Sequence, residues 1–173
     1  TGMGLERVAA LLEHVDGNYD GSLLRGVIGR AEQLAGRGYG HDQDDDVSFR
    51  ILADHGRAVA FMVADGITPS NEGRGYVLRR LVRRAARHAR RLGLEGPALF
   101  GGCAEVVSTM GTAYPELREQ AAQIAETVRA EEERFSETLD RGLVHLEDEI
   151  KKLGRKKRLP GEIAFRLYDT FGF

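Results

Sequence analysis

One segment constrains the fold of this 173-residue chain more than any other, because it joins an apolar periodicity to a run of arginines. Between Gly73 and Leu94 there is no acidic residue. The apolar residues of this segment recur at the spacing of one helical face: Leu78, Leu81, Val82, Ala85, Ala89 and Leu92. Arginines occupy most of the positions between them, so the pattern predicts an amphipathic helix over residues 76–92 with one apolar and one strongly basic face.

The remaining segments are also helical in pattern. Apolar spacing predicts helices over residues 5–14, 23–34, 47–64, 98–110 and 162–168, and one long helix over 116–153. The polar, glycine-rich residues 36–46 predict a mobile loop, and the turn-forming residues 65–75 predict a connection. Beyond a strand stub at the start we find no sheet signal, and the predicted fold class is therefore all-α with one long helix.

Composition narrows the classes of function. The hydrophobic content of 42% is sufficient for a packed core, and no apolar run reaches the roughly 18 residues that cross a bilayer, so we expect no membrane partner. The one cysteine, Cys103, has no partner for a disulfide or a metal site. We expect it to be a small buried hydrophobe in a reducing, cytoplasmic setting, with no metal site. Because no initiator methionine is present, we expect the chain to begin inside a longer protein.

The net charge of −2 conceals a concentrated positive surface. Arginine presents a planar fork that binds phosphate through two contacts. We therefore favour an anionic partner over a solvated face with distant salt bridges, and the scarcity of aromatic neighbours favours duplex backbone over single strands. The candidate phosphate contacts are Arg74, Arg79, Arg80, Arg83, Arg84 and Arg87.

Two smaller features admit alternative interpretations. Asp54 and His55 have the form of a metal-ligand doublet, but further ligands at useful spacing are lacking, so a packed structural histidine is favoured. Asn71 carries a donor and an acceptor, as a base-reading residue needs. Ser70 or Asn71 could equally be the N-cap of the basic helix.

Three segments together resemble one family, the alanyl-tRNA synthetases of class II. Residues 1–7, TGMGLER, resemble the third class II signature motif in its alanyl form. Residues 50–55, RILADH, followed by residues 64–80, ADGITPSNEGRGYVLRR, are similar to the signature of the family. Residues 164–173, AFRLYDTFGF, are similar to it as well. The segments lie in family order and bracket nearly the whole chain.

The resemblance implies a ligase that charges tRNA with alanine, using ATP and magnesium in the full enzyme. By resemblance, Gly2, Gly4, Glu6 and Arg7 belong to the ATP site, with Arg7 on the phosphates. The family selects the acceptor stem of tRNA(Ala) through a G·U wobble pair, which exposes a guanine 2-amino group in the shallow minor groove. The resemblance assigns the grip on that pair to Asn71 and Asp169. The arginines would then hold phosphates and set the register.

The same resemblance divides the chain into residues 1–20, the end of the aminoacylation core, and residues 21–173, a helical domain that recognises the acceptor stem. The first two class II motifs and the editing domain have no counterpart in the sequence. We therefore expect this fragment to be inactive alone, to bind no cofactor, and to work with the remainder of the synthetase chain. We expect the long helix to pack within the domain and support the surface that carries Asp169.

Three other hypotheses stay open. A helical phosphohydrolase built on Asp54 and His55 requires a bound divalent metal. A helical scaffold that dimerises through residues 116–153 requires self-association and indifference to RNA. A synthetase paralogue that has lost charging would bind RNA through the same surface, and the residues that distinguish it from a charging enzyme lie outside this chain.

Overall fold

The structure is a computed structural model that describes residues 2–153 and 158–171, with the side chain of Asp169 outside the description. Over these residues the backbone forms α-helices and no strand, which confirms the all-α prediction, and residues 2–4 are irregular where a strand stub was expected. No helix in these ranges is both long and apolar enough to cross a membrane. The helices described are α1 Leu5–Glu13, α2 Ser22–Ala35, α3 Gln43–Ala64, α4 Gly73–Arg91, α5 Leu99–Met110, α6 Pro115–Glu119, α7 Ala121–Leu153 and α8 Gly161–Phe171.

The chain divides into two compact units, Thr1–Glu132 and Glu133–Phe173. In the first unit, α3 is the central helix and packs against α2, α4 and α5. The buried face of each helix repeats with the helical period, and removing those side chains from water is the main stabilising term. The family resemblance predicts a different boundary, near residue 20, between the aminoacylation core and the helical domain. That boundary stays a prediction.

Small residues allow α3 and α5 to approach closely. Cys103 is fully buried between them, as predicted, and its Sγ donates to the carbonyl of Gly56 at 3.4 Å. α5 also lies close to α2, since a Cβ atom at Gly102 would lie 3.2 Å from a methyl group of Val27, tighter than ordinary contact. Burial raises the pKa of the Cys103 thiol, so the sulfur remains protonated and packs as a hydrophobe.

The central helix begins earlier than the apolar pattern predicts, at Gln43 rather than Val47. The side chain of Asp42 accepts hydrogen bonds from the backbone nitrogens of Asp44 and Asp45, at 2.9 and 3.0 Å, and thereby caps the helix. Aspartates in the first turn also interact favourably with the positive end of the helix dipole. The acidic cluster of residues 42–46 is therefore a helix start.

The glycine-rich loop before α3 is tied to its surroundings, which differs from the mobile segment predicted. The guanidinium of Arg37 pairs with the carboxylate of Asp45 at 3.1 Å. The backbone nitrogen of Tyr39 donates to the carboxylate of Glu32 at 2.8 Å. The hydroxyl of Tyr39 accepts a hydrogen bond from Nε of Arg50 at 2.8 Å. These bonds come from α2 and α3, so the loop is anchored on both sides.

The long helical pattern of residues 116–153 is interrupted once. α6 ends at Glu119, where Gln120 leaves helical geometry with φ −98° and ψ 10°, and α7 then runs without a break through Gly142. The first turns of α7 bury Ile124 and Val128 in the core of the first unit. In the second unit, the ring of His145 on α7 lies 6.0 Å from the ring of Phe171 on α8.

A buried carboxylate fixes the start of α5 to α7. The side chain of Glu132 accepts hydrogen bonds from the backbone nitrogens of Ala98, Leu99 and Phe100, at 2.9, 2.8 and 3.1 Å. These nitrogens have no partner within their own helix, and α5 has no side-chain cap of its own. The negative charge also lies at the positive end of the helix dipole. Glu132 therefore supplies the cap that the local sequence lacks.

Replacing Glu132 by alanine should destabilise the fold by about 3 kcal/mol, because three buried N–H groups lose a charged acceptor. Urea unfolding followed by circular dichroism measures this change. Glu133→Ala is the matched control, since Glu133 is exposed on the same helix and should shift stability by less than about 0.5 kcal/mol. Equal effects of the two substitutions would show that the cap contributes nothing.

Candidate nucleic-acid interface

The basic helix α4 buries the face that the sequence predicts. Leu78, Val82, Ala85 and Ala89 belong to the core of the first unit. The helix starts at Gly73, whose φ of +55° is readily adopted only by glycine. This conformation lets the preceding turn lead directly into the helix. The apolar face is held against α3 and α5, and this packing determines which arginines point away from the core.

Two arginines of α4 turn toward the protein rather than toward solvent. The side chains of Arg79 and Arg83 are each 23% exposed, and both contact Glu131, whose side chain is only 1% exposed. The Nε atoms of Arg83 and Arg79 lie 3.0 and 3.4 Å from Oε1 of Glu131. A buried carboxylate is tolerated only when cations and hydrogen bonds compensate its desolvation. This pair of arginines therefore has a structural role in holding α4 to α7.

Four other arginines form an exposed row that we name the basic stripe: Arg80, Arg84, Arg87 and Arg91. Their spacing of i, i+4, i+7 and i+11 places them along one side of α4, over roughly 16 Å. Arg80 and Arg84 make no ion pair with any residue in the described ranges. Arg91 lies 3.9 Å from Asp44, an exposed contact of little strength. The stripe therefore presents like charges that an anionic ligand would neutralise.

The pKa of Arg87, on the basic stripe, departs from its ordinary value. Partial burial, and then the neighbouring charge of Arg84, lower the pKa of the Arg87 guanidinium. Arg91 was part of the acid-free run in the sequence but not of the predicted phosphate contacts. Its place on the stripe depends on the helical register, which the i, i+4, i+7, i+11 spacing could have revealed.

The turn before α4 carries Asn71 in an exposed position. The amide oxygen of Asn71 accepts a hydrogen bond from Nη1 of Arg79. Gly75 allows the turn to lie against the helix, since a Cβ atom there would overlap the carbonyl of Thr68 and the hydroxyl of Ser70. The geometry brings together Asn71 and Arg79, a predicted base-reading residue and a predicted phosphate contact.

The alternative interpretation of Ser70 or Asn71 as the helix N-cap is wrong. The N-cap residue is Glu72, which makes no side-chain cap bond. The hydroxyl of Ser70 instead donates to the carbonyl of Glu72 at 2.8 Å and stabilises the turn itself. The side chain of Asn71 therefore remains outside the helix start.

His55 is buried in the fold, and the exposed side chain of Asp54 pairs with it at the surface. Nδ1 of His55 lies 3.0 Å from a carboxylate oxygen of Asp54, and this bond is the main reason why the pKa of Asp54 is lowered. Among residues 2–153 and 158–171, no three histidine, cysteine or acidic side chains are grouped to hold a metal ion. The phosphohydrolase hypothesis thus has no ligand set in this part of the chain.

Comparison with known proteins shows the family. The sequence pattern of the tRNA synthetases class II (A) matches residues 1–173. The alanine–tRNA ligase of Oleidesulfovibrio alaskensis is 53% identical to this chain, and that of Acidithiobacillus ferridurans is 50% identical, with the whole chain covered in each case. The chain belongs to the class II alanyl-tRNA synthetase family. It spans about a fifth of the length of these relatives, 20% in both.

Residues 2–4, in the segment that resembles the third class II motif, lead into α1. Glu6 forms an ion pair with Arg57 of α3. A backbone hydrogen bond and, less strongly, Arg57 lower the pKa of Glu6. Arg7 is exposed and forms no ion pair with any residue that the structure describes. The structure therefore uses Glu6 to attach α1 to the helical core, while the ATP-site roles of Gly2, Gly4, Glu6 and Arg7 stay predictions.

The other base-reading candidate of the synthetase family signature, Asp169, belongs to α8 in the second unit. Its side chain lies outside the described residues, and its predicted role stays a prediction. Its neighbours Phe165 and Tyr168 are exposed on the same helix.

A histidine beneath the basic stripe should make stability depend on pH. Nδ1 of His88 and the hydroxyl of Ser48 share a hydrogen bond of 3.1 Å. Burial and, less strongly, the charges of Arg91 and Arg84 lower the pKa of His88 below its ordinary value of 6.5. Below pH 6.5 the unfolded chain therefore binds a proton at His88 more readily than the folded chain does. The free energy of unfolding consequently decreases as the pH falls.

We predict that His88→Gln makes the loss of unfolding free energy between pH 7 and pH 5, roughly the window set by this pKa, shallower than in the wild type. Urea unfolding at closely spaced pH values measures the slope. His41→Gln, at an exposed histidine of the same unit, should keep the wild-type slope. An unchanged slope in His88→Gln would refute this assignment.

Proposed function

We propose that this chain is the tRNA-recognition part of an alanine–tRNA ligase and reads the G·U wobble pair of the tRNA(Ala) acceptor stem. The observation that carries the proposal is the basic stripe beside the exposed Asn71, in a chain of the alanyl-tRNA synthetase family. The relatives that cover the whole chain are alanine–tRNA ligases, which agrees with a role in alanylation by the full enzyme.

The proposal divides the contacts between phosphate and base. Arginines of the stripe hold the RNA backbone and set the register, a task that carries no sequence information. Arg74, exposed in the first turn of α4, extends the cationic surface toward the turn. The wide minor groove of A-form RNA exposes the guanine 2-amino group of a wobble pair. An amide at Asn71 and a carboxylate at Asp169 have the donors and acceptors that such a pair requires.

The chemistry of charging belongs to the full enzyme, with ATP and magnesium as cofactors. Gly2 and Gly4 would let the backbone approach ATP, and the exposed guanidinium of Arg7 fits a phosphate. Glu6 is already paired with Arg57, so we assign magnesium to no residue of this chain. We propose that the chain alone does not activate alanine and acts in the cytoplasm together with the remainder of the synthetase.

The function is tested by binding of the chain to acceptor-stem hairpins that differ only in a G·U or a G·C third pair. We expect the G·U hairpin to bind roughly tenfold more tightly, the discrimination that good base-edge contacts provide. Asn71→Ala and Asp169→Ala should each reduce this preference. Fluorescence anisotropy at two salt concentrations measures both affinities.

Arg84→Ala serves as the comparison for the base-reading variants. It removes one charge of the basic stripe, so it should weaken both hairpins equally and reduce the salt dependence by about one counterion. Salt-sensitive binding without any G·U preference would reduce the proposal to a general RNA-binding surface. Absence of binding at low salt would favour a helical scaffold instead.

A further inference from the structure

Arg79 connects a deeply buried carboxylate, that of Glu131, to the exposed amide of Asn71. Its Nε lies 3.4 Å from Oε1 of Glu131, and its Nη1 donates to the amide oxygen of Asn71. We propose that Arg79 is a positioning residue that holds Asn71 in the orientation for base-pair recognition, and that it is not a phosphate contact. This inference rests on the proposed function of Asn71 as a base-reading residue.

The contact determines which end of the amide faces the RNA. A guanidinium has donors and no acceptor, so the oxygen of Asn71 must point toward Arg79. The amide nitrogen, with its two N–H groups, then points away from Arg79. Asn71 therefore offers donors to an RNA partner, which suit a carbonyl or a ribose hydroxyl in the minor groove. The guanine 2-amino group needs an acceptor, the kind of group that a carboxylate supplies.

The anchor of this arrangement lies in the core. Glu131 is almost completely inaccessible and also binds Nε of Arg83 at 3.0 Å. Its carboxylate belongs to α7 and is bound by two arginines of α4, so it lies in the packed part of the fold and not in the turn that bears Asn71. Because Arg79 contacts both Glu131 and Asn71, it restrains the exposed amide relative to the buried carboxylate. A side chain fixed before binding loses less conformational entropy when the RNA arrives.

The neighbouring Arg80 provides the contrast. It is exposed on the basic stripe and makes no ion pair within the described part of the chain. A lysine at position 80 retains the charge that a phosphate contact requires. A lysine at position 79 also retains the charge, but it has one terminal nitrogen and lacks the fork that reaches two partners at once.

The experiment measures the dissociation constants of the G·U and G·C hairpins for the wild-type chain, Arg79→Lys, Arg80→Lys and Asn71→Ala. We expect Arg79→Lys to reduce the G·U preference several-fold, toward that of Asn71→Ala, with an unchanged salt dependence. We expect Arg80→Lys to keep the wild-type preference. The double variant Arg79→Lys with Asn71→Ala should show no further loss beyond Asn71→Ala, because both act through one amide.

Folding is controlled by circular dichroism, and binding is compared at temperatures where each variant stays folded. Arg79→Met is a second variant, which keeps the apolar stem and removes all donors, and it should lose the preference as well. A wild-type preference in Arg79→Lys and Arg79→Met, or an equal loss for both hairpins, would overturn the positioning role alone. Absence of a G·U preference in the wild type would overturn the proposed function, and the inference with it.

Discussion

The arrangement of the basic helix depends on the ion pairs that the buried carboxylate of Glu131 forms with two of its arginines. The carboxylate binds Arg79 and Arg83, which therefore turn toward the protein, and it attaches α4 to the first part of α7. The adjacent residue, Glu132, caps α5 through three backbone nitrogens. Two consecutive acidic residues therefore secure two different helices. Both carboxylates are buried, which is tolerated because cations or N–H groups compensate them.

This attachment separates the arginines of α4 by role. Those on one side neutralise an internal charge, and those on the basic stripe are exposed to solvent. A helix with every arginine solvent-facing would repel itself along its length, because like charges one turn apart are unfavourable. The separation also gives Asn71 a fixed neighbour at Arg79, so the candidate base-reading residue is connected to the core of the fold.

Periodicity in the sequence was sufficient to predict the helices and the buried face of α4, because apolar spacing directly records which side of a helix leaves water. Boundaries were less accurate where polar residues define them, as at Asp42, whose cap extends α3 beyond its apolar pattern. Glu131 is a charged residue that falls between the apolar positions Val128 and Phe135 of the long helix. Its arginine partners precede it by 48 and 52 residues, a distance over which local pattern carries no information.

The candidate site was predictable in part for a similar reason. The basic face follows from composition and period, and the assignments of Asn71 and Asp169 came from the resemblance of the signature segments to the synthetase family. The link between Asn71 and Arg79 could not be predicted, because it depends on how a turn folds back onto the first turns of a helix. Gly75 is the one sequence feature that hints at this close approach.

The most direct test of the account replaces the guanosine of the G·U pair by inosine in the acceptor-stem hairpin and compares its binding to this chain. Inosine lacks only the 2-amino group and leaves the backbone and the wobble geometry in place. The account predicts a loss of roughly tenfold in affinity, to the level of the G·C hairpin, as expected for one hydrogen bond to a charged acceptor. Equal binding of the inosine and guanosine hairpins would contradict recognition of that pair through its minor-groove amine.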